Sequence, residues 1–143
     1  MKITRMLSAA LFILFLIQVQ PSQGQTAAGA AATPKLEVYY FHPTERCSID
    51  QSIEETTRKL MRTDYAAELK NGTIRFQVLN TDDKANAKTV ARFEMNAQAL
   101  YLVYRENGRE VKKDLTEFAF STCQNNPAKF RAGLKEEIVK VLK

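Results

Sequence analysis

The chain reads as an α/β domain built on a four-stranded mixed sheet flanked by helices, and three features predict this. A buried apolar run, Val38 to His42, and an alternating run, Thr73 to Asn80, are separated by a long amphipathic stretch. Two strands joined through a helix of that length pair in parallel, with a right-handed crossover. Asn107-Gly108 lies between two further strand-like runs, which is a strong short-range signal for a hairpin. Finally, Asn126-Pro127 opens a periodic apolar stretch as an N-cap followed by proline at the first helical position.

In chain order, Lys2 and Arg5 precede an almost wholly apolar run from Met6 to Ile17, and Ser22-Gln23-Gly24 supplies small residues at a cleavage site. Residues 1–24 are therefore expected to be a signal peptide, which directs the chain to a secreted or periplasmic location. The apolar run is short for a bilayer span, so no membrane attachment is expected after signal cleavage. Residues 25–34 are Ala, Thr, Gly and Gln with nothing to bury, a flexible spacer. The remainder, 35–143, has the length of one domain with its own core. Setting aside Lys2 and Arg5 leaves 19 basic against 16 acidic residues, scattered along the chain. That is a solvated surface without the basic stripe and interleaved aromatics of a nucleic-acid interface.

The first strand ends at His42-Pro43, and a polar turn leads into a helix from Ser48 to Lys70. Ile49, Ile53, Leu60, Met61 and Leu69 share one face of it, with Glu54, Glu55, Arg58 and Lys59 opposite. Asn71-Gly72 stops the helix, since glycine takes the left-handed conformation at C′; Asn71-Gly72-Thr73 is also a glycosylation acceptor triplet. The second strand follows. Thr81-Asp82-Asp83 then offers helix caps, and a shorter helix over Lys84 to Glu94 is expected to bury Ala87, Val90, Ala91 and Phe93. Ala99 to Tyr104 is a third strand, and Arg109 to Lys113 is the fourth, antiparallel to it across the hairpin. Tyr39, Tyr40, Tyr101 and Tyr104 are expected on the sheet faces. Phe130, Leu134, Ile138 and Val141 mark the buried face of the last helix.

The chemistry concentrates where the first strand meets the first helix. Cys47 falls at a helix N-terminus, where unpaired backbone N–H groups and the macrodipole favour a thiolate, and Arg46 adds a positive charge. Asp50 opposes this, because a carboxylate in the same first turn competes for the free amides and disfavours sulfur ionisation. His42, the only histidine, either handles the thiol proton or is a strand-end imidazole bonded to backbone. One histidine and two separated cysteines without a tight carboxylate cluster do not make a zinc site, and no cofactor signature is visible.

The order βαβ, helix, ββ, helix, with a cysteine between the first strand and first helix, resembles the thioredoxin fold over nearly all of 35–143. More narrowly, Val38-Tyr39-Tyr40-Phe41-His42, Arg46-Cys47 and Asn126-Pro127-Ala128-Lys129-Phe130 resemble a family of small secreted bacterial thioredoxin-like proteins labelled as a nitrophenyl-compound nitroreductase subunit. The resemblance implies a Cys-x-x-Cys motif whose first cysteine is Cys47; the second position holds Asp50, so the motif is degenerate. The proline that precedes the third strand in thioredoxins falls near Gln98. No buried acid stands among Tyr39, Tyr40 and Phe41. In such a fold the fourth strand ends on the side where Cys47 sits, and the segment Asp114 to Asn125 that follows it carries Cys123. Cys123 is therefore either a disulfide partner of Cys47 in an oxidising compartment or a small buried apolar residue on a short helix. Two functions follow from the resemblance. One is single-thiol disulfide exchange by Cys47 with a protein or peptide partner, supported by Arg46, His42, Asp50 and Gln98. The other is a non-catalytic binding module that holds a peptide or protein at the same corner.

Overall fold

The computed structural model describes residues 33–95 and 97–143. The expected signal peptide, 1–24, and the expected spacer, up to residue 32, lie outside the described residues. Four strands form one sheet: β1 Leu36–His42, β2 Ile74–Asn80, β3 Ala99–Glu106 and β4 Arg109–Asp114, in the order β2-β1-β3-β4. β1 pairs in parallel with β2, and antiparallel with β3, which pairs antiparallel with β4. The helices are α1 Ser48–Asp64, α2 Ala66–Lys70, α3 Ala87–Phe93 after a single 3₁₀ turn, α4 Thr116–Cys123 and α5 Pro127–Leu142. This is the thioredoxin-like arrangement. Among the described residues no helix is long and apolar enough to cross a membrane.

β1 is central and is buried on both faces, which is why it reads as an unbroken apolar run. Leu36, Val38 and Tyr40 point into the larger core with Ile53, Leu60, Met61, Phe130, Leu134 and Ile138 from α1 and α5. Tyr39 and Phe41 point the other way, into a smaller aromatic cluster with Phe93, Ala99 and Val103. The alternation expected of a strand thus divides the protein into a thick layer and a thin one.

The turns follow their residue chemistry. Asn107 and Gly108 both have positive φ, 51° and 78°, as a two-residue hairpin requires. Asn126 caps α5 by accepting Lys129 N at 3.0 Å ahead of Pro127. Asn71 closes α2, its side-chain oxygen accepting Thr73 N at 2.9 Å, and Gly72 turns at φ 78°.

Two expectations need correction. The helix expected over Ser48 to Lys70 breaks at Tyr65, whose φ of −127° and ψ of 25° are not helical. Tyr65 is drawn into the core and reaches the Lys135 carbonyl of α5, so tertiary packing overrides a run of good helix formers. In the short helix only Phe93 is buried and Val90 half-buried, while Ala87 and Ala91 face solvent, because α3 meets the sheet over a single aromatic cluster. The segment after β4 forms α4, which packs against both α1 and α5.

Candidate functional site

The register of the sheet assembles one end of it. His42 pairs with Asn80 and Phe41 with Ala99, so the close of β1, the close of β2 and the start of β3 share an edge. His42 and Gln98 both lie there, and both are half-buried. The loop that leaves β1 is laced to the loop that leaves β2. Thr81 N donates to the His42 carbonyl at 2.8 Å, Asn80 Nδ2 donates to Thr44 Oγ1 at 3.1 Å, and Thr44 N donates to Asp82 Oδ2 at 2.7 Å. Hydrogen bonds from Thr44, the one from its amide foremost, hold the Asp82 carboxyl below the usual carboxylate range.

Cys47 is the N-cap of α1, with extended backbone (φ −87°, ψ 170°), and it is exposed. Its sulfur stands where a serine hydroxyl would, facing the Asp50 amide, and Asp50 Oδ2 in return accepts Cys47 N at 3.0 Å. This is a capping box with sulfur in place of oxygen. Asp50 is 3% exposed; its other oxygen, Oδ1, is buried with no hydrogen-bond partner. Beneath it, the hydroxyl of Tyr40 donates to the Asp50 carbonyl at 2.9 Å, and burial, with the Asp50 charge nearby, pushes the phenol well above its ordinary range. The first turn of α1 is therefore fastened at both its side-chain and main-chain ends.

Arg46 does not face the thiol. Its guanidinium pairs with Glu54 Oε2 at 2.7 Å and donates to the Asp50 carbonyl at 3.4 Å, while Nε is buried and unpartnered. Glu54 also takes Arg58. Burial works against the Glu54 charge, but hydrogen bonds from Arg58 and Arg46 outweigh it and hold the carboxyl below its ordinary value. The expectation that Arg46 lends its charge to Cys47 is corrected accordingly: that charge is shared with Glu54 along the helix flank. His42 Nδ1 bonds the Pro43 carbonyl at 2.8 Å, which makes it the donor and leaves Nε2 as the free nitrogen. The imidazole is a strand-end group tied to backbone, stacked on Tyr40 at 6.3 Å between centroids.

Cys123 ends α4 and is 1% exposed, within the larger core. Burial pushes its thiol up, partly offset by a hydrogen bond with Thr56. Both cysteines are free, so the disulfide between Cys47 and Cys123 is not made. The reason is geometric. Thr56 lies nine residues along from Cys47, about 13 Å of axis at roughly 1.5 Å per residue, so Cys123 is seated beside the middle of α1 and not at its start. Cys123 is the small buried residue on a short helix.

The signal that sequence reading missed is the loop brace. Thr44, Asn80 and Asp82 fix the approach to Cys47, and only the parallel register of β1 and β2 brings them together. What the corner offers chemically is one accessible nucleophile on a rigid helix start, next to a buried carboxylate, with no second thiol in reach.

No family model matches the chain, and no curated protein matches it. Among solved structures, a thioredoxin from Thermus thermophilus is similar at 14% identity, covering 75% of this chain and 76% of that one, with a TM-score of 0.45. A chain described as a malarial protein is similar at 17% identity, covering 61% of this chain and 93% of that one, with a TM-score of 0.39.

Proposed function

We propose that this is an exported single-thiol exchange protein of thioredoxin-like architecture, with Cys47 as its catalytic residue. The Cys47 thiolate attacks one sulfur of an exposed disulfide in a peptide or protein. The attacked bond breaks, a mixed disulfide forms at Cys47, and the other sulfur leaves as a thiolate. An external thiolate then attacks the substrate sulfur of the mixed disulfide, the bond to Cys47 breaks and Cys47 leaves as a thiolate, and a new disulfide joins the external sulfur to the substrate's, so the net change is exchange of one thiol for another. Resolution comes from outside because the position that would hold a resolving cysteine carries Asp50, and Cys123 is sealed in the core.

The observation that carries this reading is the exposed sulfur at the N-cap of a 17-residue helix, an accessible nucleophile held on a rigid helix start. The residue-level resemblance to secreted bacterial thioredoxin-like proteins supports export and the redox assignment; the nitroreductase-subunit label attached to that family supplies no further chemistry here. A second reading is a binding module that holds a peptide at the same corner. Asp50 in the second motif position and Gln98 in place of proline favour it.

The two separate in one experiment. Reduced protein is incubated with hydroxyethyl disulfide, a neutral probe, and the products are mapped by mass. Exchange predicts one adduct, at Cys47, lost on reduction by added thiol and absent in Cys47→Ser. A native chain that forms no adduct, when the denatured chain labels at both cysteines, supports the binding module.

A further inference from the structure

Resting on the exchange reading, and naming the substrate class of that site, we infer that Cys47 selects disulfides carrying positive charge. The segments that frame the thiol, residues 43–55 and 80–84, hold Glu45, Asp50, Glu54, Glu55, Asp82 and Asp83 against Arg46 and Lys84 alone. Without the expected signal segment the chain carries 19 basic against 16 acidic residues, a net charge of +3. Glu54 is paired with both Arg46, at 2.7 Å, and Arg58; with that group set aside, Glu45, Asp50, Glu55, Asp82 and Asp83 still stand against Lys84, so the corner is acidic on a basic protein.

A second observation, of geometry and not of charge count, lies in the cap. Asp50 is 3% exposed, one of its oxygens holds the Cys47 amide at 3.0 Å, and the other has no partner. A half-satisfied carboxylate is therefore built into the N-cap of the nucleophile. Asp82 is fixed near the same loop by the Thr44 amide at 2.7 Å, and Glu45 stands exposed two residues before Cys47.

Fixed negative charges at these positions attract an ammonium or guanidinium brought by the substrate and repel a carboxylate, both during encounter and as the sulfurs close. Such effects between partly exposed groups are strong within about 10 Å at 0.1 M salt and fade as salt rises. The substrate class is a disulfide flanked by amines, Lys or Arg. The thiolate leaving it is a cationic thiol, and the bond formed is a mixed disulfide at Cys47.

The test compares two small disulfides of opposite charge, cystamine and oxidised glutathione, as second-order rates of adduct formation at Cys47 of the reduced full chain. Each rate is divided by that for an unstructured cysteine peptide of neutral charge, which removes intrinsic differences in leaving group. At low ionic strength the normalised rate for cystamine should exceed that for oxidised glutathione by about tenfold, and the ratio should approach one in roughly 1 M salt. Glu45→Gln, at an exposed loop position, should lower the ratio without altering the fold. Adducts that form with a ratio near one at all salt concentrations overturn the charge selection alone. No adduct with either disulfide overturns the exchange reading and this inference with it.

Discussion

Cys47 and Cys123 both end against α1, one at its first turn and the other beside its middle, and they are opposites in every respect that governs a thiol. Cys47 is exposed, stands in for a capping hydroxyl and borders a carboxylate. Cys123 is sealed among Leu, Phe and Ile side chains, with burial disfavouring its charged form. The same atom is chemistry in one place and packing in the other, and the difference is set by helix geometry. A residue that caps a helix at the carboxyl edge of a sheet faces solvent, whereas a residue that closes a helix laid across α1 and α5 does not.

The largest consequence is kinetic. Under native conditions a chloroacetamide-type alkylating agent should modify Cys47 at least about a hundredfold faster than Cys123, because the buried thiol reacts only when the core opens locally. Site-resolved mass spectrometry over time gives both rates. Comparable rates would erase the distinction between corner and core. Asp50→Asn sharpens the comparison: its amide oxygen keeps the hydrogen bond from Cys47 N while the charge is removed, so Cys47 alone should alkylate severalfold faster at fixed neutral pH.

A smaller effect appears in stability, where one substitution carries opposite signs at the two sites. Cys47→Ser replaces a weak cap with one of the preferred N-cap residues, whose oxygen accepts the Asp50 amide, and should gain a few tenths to about 1 kcal/mol. Cys123→Ser puts a more polar hydroxyl into an apolar wall and should lose about 1–2 kcal/mol even with Thr56 as a partner. Urea unfolding of the two variants beside the wild type measures both. Loss at both sites would mean that the sulfur of Cys47 packs as well as caps. On the proposed exchange function, the gain comes with loss of the nucleophile, so stability and exchange pull apart at this residue.

Local chemistry was legible in the sequence where short-range rules suffice. Asn107-Gly108 makes its turn, Asn126-Pro127 opens α5, and Asp50 takes its capping place three residues after Cys47, all decided within a few residues. What depended on distant partners was not legible. Tyr65 breaks a helix because its ring belongs to the core and its hydroxyl to Lys135. Arg46 looked like a companion of Cys47 by adjacency, but across a helix start Glu54 is the nearer charge. Cys123 and Cys47 were placed on the same side of the sheet by topology; the offset along α1 that keeps them apart is a matter of how α4 packs.

The wall around Cys123 and the corner around Cys47 should also part company in acid. Asp64, at the end of α1, takes Arg131 and, at 2.8 Å, Lys135, so it ties α1 to α5. Hydrogen bonds, that from Lys135 foremost, hold its carboxyl at about 2, well below the usual aspartate range. A carboxylate depressed in the folded state contributes stability that is present above its unfolded pKa, and this is lost as pH falls through the folded one. For Asp64 the window runs from near 4 down to about 2. The pair is well solvated, so the effect is modest and screened by salt. The urea midpoint of the wild type should exceed that of Asp64→Asn at pH 6, and the two should converge by about pH 2. Alkylation of Cys47 at pH 6 should be the same in both proteins, since the tie lies at the far end of α1 from the thiol. A midpoint difference that persists undiminished in acid would show that Asp64 holds α5 by shape and hydrogen bonding with no need of its charge.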